Sequence, residues 1–407
     1  MSLRLLHTSD WHLGQHFMGK SRQAEHQAFC DWLLEQVHRH QVDVVLIAGD
    51  VFDTGAPPSY AREQYNRFVI GLRDTGARLV VLGGNHDSVA MLSEARELLA
   101  RLDTWVVPAA AEDPADQVLL LPTRAGEPGA LLCAIPFLRA RDLLRSEAGQ
   151  NAEDKQRSLQ DAIAEHYQQC HTQAMTLRST HGPLPIIASG HLATVGASAS
   201  ESVREIYVGS LEAFPTSAFP AADYIALGHI HRPQQVGGQN HIRYSGSPIP
   251  LSFDEAGQQK EVLLVDLDHI GLCGVTPLPV PRFQVLQTLR GSLTEIAEQL
   301  PCAAAQGTPE HPVWLEVQVL SDDYLSDLGS RLAALTEGLP VEVLRIRRER
   351  AGASATLSRE ARETLEELDP LQVFQRRLEE ETLDEALYKQ LAQLHQQVLA
   401  ELQEASA

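Results

Sequence analysis

Eight side chains able to bind a divalent metal or move a proton stand at the ends of five aliphatic runs. Asp10 and His12 close LRLLHTSDWH, and Asp50 closes VDVVLIAGD. Asn85 and His86 follow LVVLGG, His191 ends PIIASGH, and His229 and His231 end DYIALGHIH. A run of this kind reads as a buried strand, and the glycine after it as a tight turn at the strand's C-terminal end. That end is where layered α/β folds bind ligands. Asp10/His12 and His229/His231 are two residues apart, so on extended chain each pair shares one side. The donors are oxygen and nitrogen without sulfur, a set that suits Mn, Fe or Zn better than Ca or Mg. Eight candidates are too many for one ion and about right for two. A two-metal site needs a bridging carboxylate, and Asp50, on a Gly-Asp turn, is the candidate. Other histidines, such as His26 and His166, stand in helical contexts without matching partners and read as structural.

Helix-spaced segments alternate with these runs. Gln23–His38 places Phe29, Leu33 and Val37 on one face, and Tyr60–Arg73 and Ser88–Arg101 also read as helices. The alternation predicts a layered α/β domain. The proline-rich PLPVP at Pro277–Pro281 suggests a boundary, and Gly196–Arg204 reads as a mobile loop. Beyond the boundary, Phe283–Leu289, Leu293–Leu300, Val313–Leu320, Tyr324–Leu335 and Val341–Ile346 read strand, helix, strand, helix, strand. The expected division is 1–278, a small α/β domain at 279–350, and a helical tail at 351–407. In the tail Leu383, Leu387, Leu391, Leu394 and Val398 step by three or four, an apolar stripe suited to a partner helix.

Composition bounds the class. At 407 residues two or three domains are expected, and 43% hydrophobic residues support a sizeable core. The five cysteines form no CxxC pair, which argues against a disulfide framework or a thiolate zinc site. With no signal-peptide pattern and no apolar run near 18 residues, the expectation is a soluble cytoplasmic protein without a membrane partner. The formal net charge of −21 opposes phosphate binding unless basic residues cluster or a partner supplies them. Arg139, Arg141 and Arg232 are the candidate phosphate contacts.

DWH at Asp10–His12, GDVFD at Gly49–Asp53, GNHD at Gly84–Asp87, GH at Gly190–His191 and GHIH at Gly228–His231 resemble the five motifs of the calcineurin-like metallophosphoesterases. HTSDWHLG, GDVFDTGAPPSYAR and YSGSPIPLSF further resemble the SbcD family of bacterial nuclease subunits, partners of the ATPase SbcC. The resemblance implies a four-layer α/β/β/α sandwich with a small α/β capping domain and a C-terminal helical tail. It also implies two Mn²⁺ ions, one held by Asp10, His12, Asp50 and His231, the other by Asp50, Asn85, His191 and His229. A metal-bridging hydroxide would attack the phosphodiester. His86 would be the general acid on the leaving oxygen or would steady the transition-state phosphate, with Asp87 orienting its ring. Archaeal members of the wider family carry a histidine where this chain has Asp53, so that histidine's role does not transfer.

For function the resemblance implies an Mn-dependent DNA nuclease acting with SbcC in repair, recombination and replication. Its activities would be 3′-to-5′ exonuclease, single-strand endonuclease and hairpin opening. The implied assembly is a homodimer within a heterotetramer, the dimer contact near Tyr60–Arg73 and Ser88–Arg101, the tail stripe gripping SbcC. The alternative is a small-molecule phosphodiesterase or phosphatase on the same metal core. The acidic charge favours that alternative slightly; the extra domain and tail count against it.

Overall fold

A computed structural model describes residues 2–143, 152–203, 213–320 and 327–349, together with residues 391 and 394. Contacts divide the chain into two units, and the first, Met1–Val319 with Asp327–Arg347, holds every site discussed below. Of the tail stripe, Leu383, Leu387 and Val398 lie outside the described residues. Leu391 and Leu394 are helical, and Leu394 is 59% exposed.

Two six-stranded sheets form the body. In the first, Ser2–Thr8, Val44–Ile47, Arg78–Leu82 and Thr104–Val107 run parallel in that order. Glu261–Asp268 and Gly271–Pro279 extend it antiparallel beyond Ser2–Thr8. In the second, Pro128–Cys133, Ile186–His191, Tyr224–Gly228 and Gln239–Tyr244 are parallel neighbours. Val118–Pro122 and Gln234–Val236 form its edges. The aliphatic runs are continuous because both faces of the first sheet are covered. Leu5, Val44, Leu46, Val80 and Leu82 point between the sheets, against Leu132, Ile187, Tyr224 and Ala226. Their neighbours Leu6, Val45, Ile47, Leu79 and Val81 pack under the helices Gln23–Arg39 and Ser59–Asp74. The far face of the second sheet is covered by the helix Ala152–His181 through Leu159, Ile163, Tyr167 and Cys170. The order is therefore helix, sheet, sheet, helix.

Three details depart from the sequence reading. The helix expected at Ser88–Arg101 is broken into Val89–Glu94 and Arg96–Ala100. PLPVP is not a bare linker. Pro277 and Pro279 belong to Gly271–Pro279, the edge strand of the first sheet, where a missing N–H costs least. Gly196–Val203, read as a mobile loop, is hydrogen-bonded onto the body, as described below; Arg204 lies outside the described residues.

After this strand come the parallel pair Leu286–Gly291 and Val313–Leu320 and the third strand Val341–Glu349. The helices Leu293–Ala304 and Leu328–Thr336 lie between them in the chain. Ser292 and Glu295 cap the first of these helices reciprocally, which fixes where it starts. This small sheet packs on the body through Trp314, which stacks on Phe17 with ring centroids 6.0 Å apart. Phe253, Ala256 and Leu286 complete that cluster. No helix among the described residues is long and apolar enough to cross a membrane.

Candidate metal centre

Hydrogen bonds that each use a backbone group bind the C-terminal rims, within the first sheet and between the two sheets. The Asp10 N–H donates to the Gly49 carbonyl at 3.0 Å, and His191 Nδ1 donates to the Ala48 carbonyl at 2.9 Å. The His229 N–H donates to Asp10 Oδ1 at 3.0 Å. Strand tips far apart in sequence are thereby held on one floor. Of seven non-glycine residues with positive φ among the described residues, four are candidate ligands: Asp10, His12, Asp50 and His229. Each such residue costs about 1–2 kcal/mol of backbone strain, which persists where surrounding structure demands it. Gly49 and Gly84 give the close approach. A Cβ on Gly49 would stand 2.2 Å from His191 Nδ1, and one on Gly84 2.1 Å from Asp50 Oδ1.

On this floor the predicted residues converge. Ligand atoms of Asp10, His12 and His231 lie within 4.8 Å of one another, as do those of Asp10, Asp50 and His191. Asp50 Oδ2 is 3.2 Å from His191 Nε2 and 3.7 Å from His12 Nε2, so one carboxylate reaches both groups. Asn85 Oδ1 lies 2.9 Å from His191 Nε2 and 3.2 Å from His229 Nδ1. All are buried except Asn85 and His86, which are half-buried at the mouth. Buried His12 Nε2 has no hydrogen-bond partner. An orphaned imidazole nitrogen among carboxylates is what a divalent cation would satisfy, and an oxygen–nitrogen donor set fits such an ion.

The same residues set one another's charge. Burial alone would raise the Asp50 carboxyl, but His191 and His12 hold it well below the usual carboxylate range. Burial lowers His191, yet the Asp50 charge outweighs it and brings the ring to about 9. Burial and the neighbouring His191 push His229 well below its ordinary value, toward the neutral form a metal ligand needs.

The shell around the ligands corrects one expectation. Asp87 does not orient the His86 ring. Its carboxylate accepts from the Phe52, Val51 and Gly84 N–H groups at 3.0, 3.2 and 2.9 Å, pinning the GDVFD turn to the GNHD turn. Burial and the Asp50 charge raise it to about 6 despite those three donors. The ring is instead held by the Asp53 carbonyl, 2.8 Å from His86 Nδ1, while the His86 N–H donates to Asp50 Oδ1 at 2.9 Å. Asp53 also places its carboxylate 3.3 Å from His12 Nδ1, so it braces two histidines. Of the three arginines expected near DNA, Arg139 donates to the Asp87 and Gly84 carbonyls at 3.2 and 3.5 Å, steadying the GNHD turn. Arg141 and Arg232 are exposed.

Two residues escaped the sequence reading. Glu255 lies fully buried behind His231, with Oε1 3.4 Å from Nδ1. Buried Lys260 donates to Glu255 at 2.6 Å and to the His231 carbonyl at 2.9 Å. The carboxylate is held well below its usual range: burial opposes ionisation, but His231 and Lys260 prevail. YSGSPIPLSF led toward this turn, but no spacing in it marks Glu255 as a partner of His231.

Comparison with known proteins places this geometry. Residues 3–233 match the family model described as calcineurin-like phosphoesterase. The chain belongs to that family. Residues 282–382 match a second model, described as the type 5 capsule protein repressor C-terminal domain. The chain is 55% identical over 392 residues to the SbcD subunit of nuclease SbcCD from Escherichia coli K12, covering 96% of each. The SbcD subunit from Rhodobacter capsulatus is 36% identical, with 84% of this chain and 86% of the relative covered. That from Bacillus subtilis is 36% identical over 270 residues, 65% of this chain and 66% of the relative. Family and fold together imply a divalent metal and phosphoester hydrolysis.

Proposed function

We propose that the protein is the nuclease subunit of an SbcC–SbcD complex, a two-Mn²⁺ phosphodiesterase acting on DNA ends and hairpins. The observation that carries this reading is the shared floor on which Asp50 faces both donor groups. Asp10, His12, Asp50 and His231 would hold one ion, and Asp50, Asn85, His191 and His229 the other. Bound divalent metal supplies Lewis-acid polarisation of phosphoryl oxygens and a nucleophile from water at neutral pH.

The chain's own residues do the rest. The Asp53 carbonyl can only accept, so His86 Nδ1 carries a proton and Nε2 faces away from that anchor. A second proton on Nε2 is then the one available to the leaving oxygen, which is general-acid work. The Asp87 carboxylate positions the GNHD turn, and with it Asn85 and His86. Glu255 and Asp53 orient His231 and His12 from behind.

The division into a nuclease domain at 1–278, a capping domain at 279–350 and an SbcC-binding tail at 351–407 belongs to this reading. So do homodimer contact around Tyr60–Arg73 and Ser88–Arg101, 3′-to-5′ polarity, and a cytoplasmic site of action. The test uses the purified chain with Mn²⁺, with and without SbcC and ATP. End-labelled duplex and hairpin DNA are followed beside an aryl phosphodiester, with Asp50→Ala and His86→Ala as controls. DNA degradation lost in both variants is the expected result. Cleavage of the aryl ester alone, even with SbcC, would leave the small-molecule phosphodiesterase reading.

A further inference from the structure

One loop touches both the capping sheet and the metal floor. After the strand Ile186–His191 the chain continues through Ser198, Ser200, Glu201 and Ser202, and polar contacts seat it. The Ser198 N–H donates to Gln234 Oε1 at 2.8 Å, and the Glu201 N–H to Asp254 Oδ2 at 3.0 Å. Ser200 Oγ donates to Glu255 Oε1 at 2.6 Å. Ser202 Oγ also donates to Glu255, and it stands 2.6 Å from His231 Nδ1. The Glu201 carboxylate reaches the capping sheet: Oε2 is 3.3 Å from Arg347 Nη2 and 3.7 Å from Arg345 Nη2. Both arginines also pair with Glu316, buried in the neighbouring strand Val313–Leu320. The Arg345 guanidinium lies over the Phe253 ring, 5.4 Å from its centroid. Phe253 begins the turn that carries Glu255.

We infer that Ser202 is a positioning residue for His231, and that Glu201 ties its placement to the capping sheet through Arg345 and Arg347. The inference rests on His231 being a metal ligand. Glu255, ion-paired to Lys260, can only accept, so the Ser202 hydroxyl hydrogen points to it. The Ser202 oxygen then accepts from His231 Nδ1–H. This direction puts the ring proton on Nδ1 and leaves the Nε2 lone pair for a cation. Glu255 alone stands 3.4 Å from Nδ1, and the serine closes that gap. The arginine–Glu201 contacts are half-exposed, where an ion pair contributes little to stability. Their effect is geometric: a capping sheet moved off the body releases Glu201 and the serine beside it.

The test measures Mn²⁺ affinity by electron paramagnetic resonance on the full chain, with thermal unfolding in EDTA as a check on folding. Ser202→Ala should weaken Mn²⁺ binding about tenfold, as outer partners of metal ligands do. Ser202→Thr, which keeps the hydroxyl, should restore it. Glu201→Gln, at an exposed carboxylate whose loss the fold tolerates, should weaken binding by a smaller factor. Wild-type affinity in both Ser202→Ala and Glu201→Gln would overturn the inference. His231→Ala separates the layers. If it too binds like wild type, the metal-ligand reading itself fails; if it loses binding while Ser202→Ala does not, only the positioning role fails.

Discussion

The left-handed backbone at Asp10, His12, Asp50 and His229 shows where this chain stores strain: at the side chains that must face one another. Gly84 is the companion of that strain, since it lets the GNHD turn lie against Asp50. Gly84→Ala should abolish Mn²⁺ binding and lower the thermal transition in EDTA, because the new methyl meets both the Asp50 carboxylate and the Asp50 backbone nitrogen. Unchanged metal titration would show that Asp50 is not the shared ligand. His86→Gln should keep Mn²⁺ affinity and lower kcat by about 10²–10⁴-fold, the ordinary worth of a proton donor. An equal loss of affinity would instead make it a ligand. The seven candidate ligands were legible because aspartate, asparagine and histidine are conspicuous after aliphatic runs. The role of Asp87 was not, because adjacent residues in a turn diverge and its carboxylate meets backbone N–H groups that no sequence pattern marks. Glu255 was hidden for a related reason: it meets His231 only where a loop folds back.

At the level of elements, hydrophobic period decided most of the fold. The four-residue strand Val44–Ile47 is buried on both faces and reads as one aliphatic run, with Gln23–Arg39 and Ser59–Asp74 placed by helical spacing. Gly271–Pro279 was hidden because glycine and proline stand at its ends and centre, poor strand formers tolerated at an edge. The helix Gln23–Arg39 also carries a pH liability. His26 is fully buried, and desolvation, with Arg22 and His12 adding to it, lowers its ring to about 3. The folded state thus holds it neutral while the unfolded chain protonates near pH 6.5. Its contribution is complete above 6.5 and is lost as pH falls toward 3, by about 2 kcal/mol between pH 7 and 5. Urea unfolding in EDTA should therefore show a smaller loss of stability over that interval for His26→Leu than for wild type. Equal losses would mean that His26 is already protonated in the fold.

Over the whole molecule, the net charge of −21 and the basic residues near the floor pull in opposite directions. Arg139 donates to backbone carbonyls, and Arg141 and Arg232 are too few to offset the acidic charge. DNA affinity of the chain alone should consequently be weak and nearly independent of salt, and should gain a steep salt dependence when SbcC is added. A steep slope for the chain alone would place the phosphate contacts on this protein. Deletion of residues 351–407 should abolish SbcC association and leave aryl-ester hydrolysis intact. Architecture at this scale was readable as an α/β body and a small second sheet, while the expected tail lies almost wholly outside the described residues. The docking of that second sheet was not, since Phe17–Trp314 and Glu201–Arg347 join residues that lie far apart in the chain. The most direct measurement is anomalous diffraction at the manganese edge from crystals grown with Mn²⁺. Two peaks flanking the Asp50 carboxylate, one beside His12 and His231 and one beside Asn85, His191 and His229, are expected. A single peak, or ions bound away from Asp50, would contradict the two-metal centre.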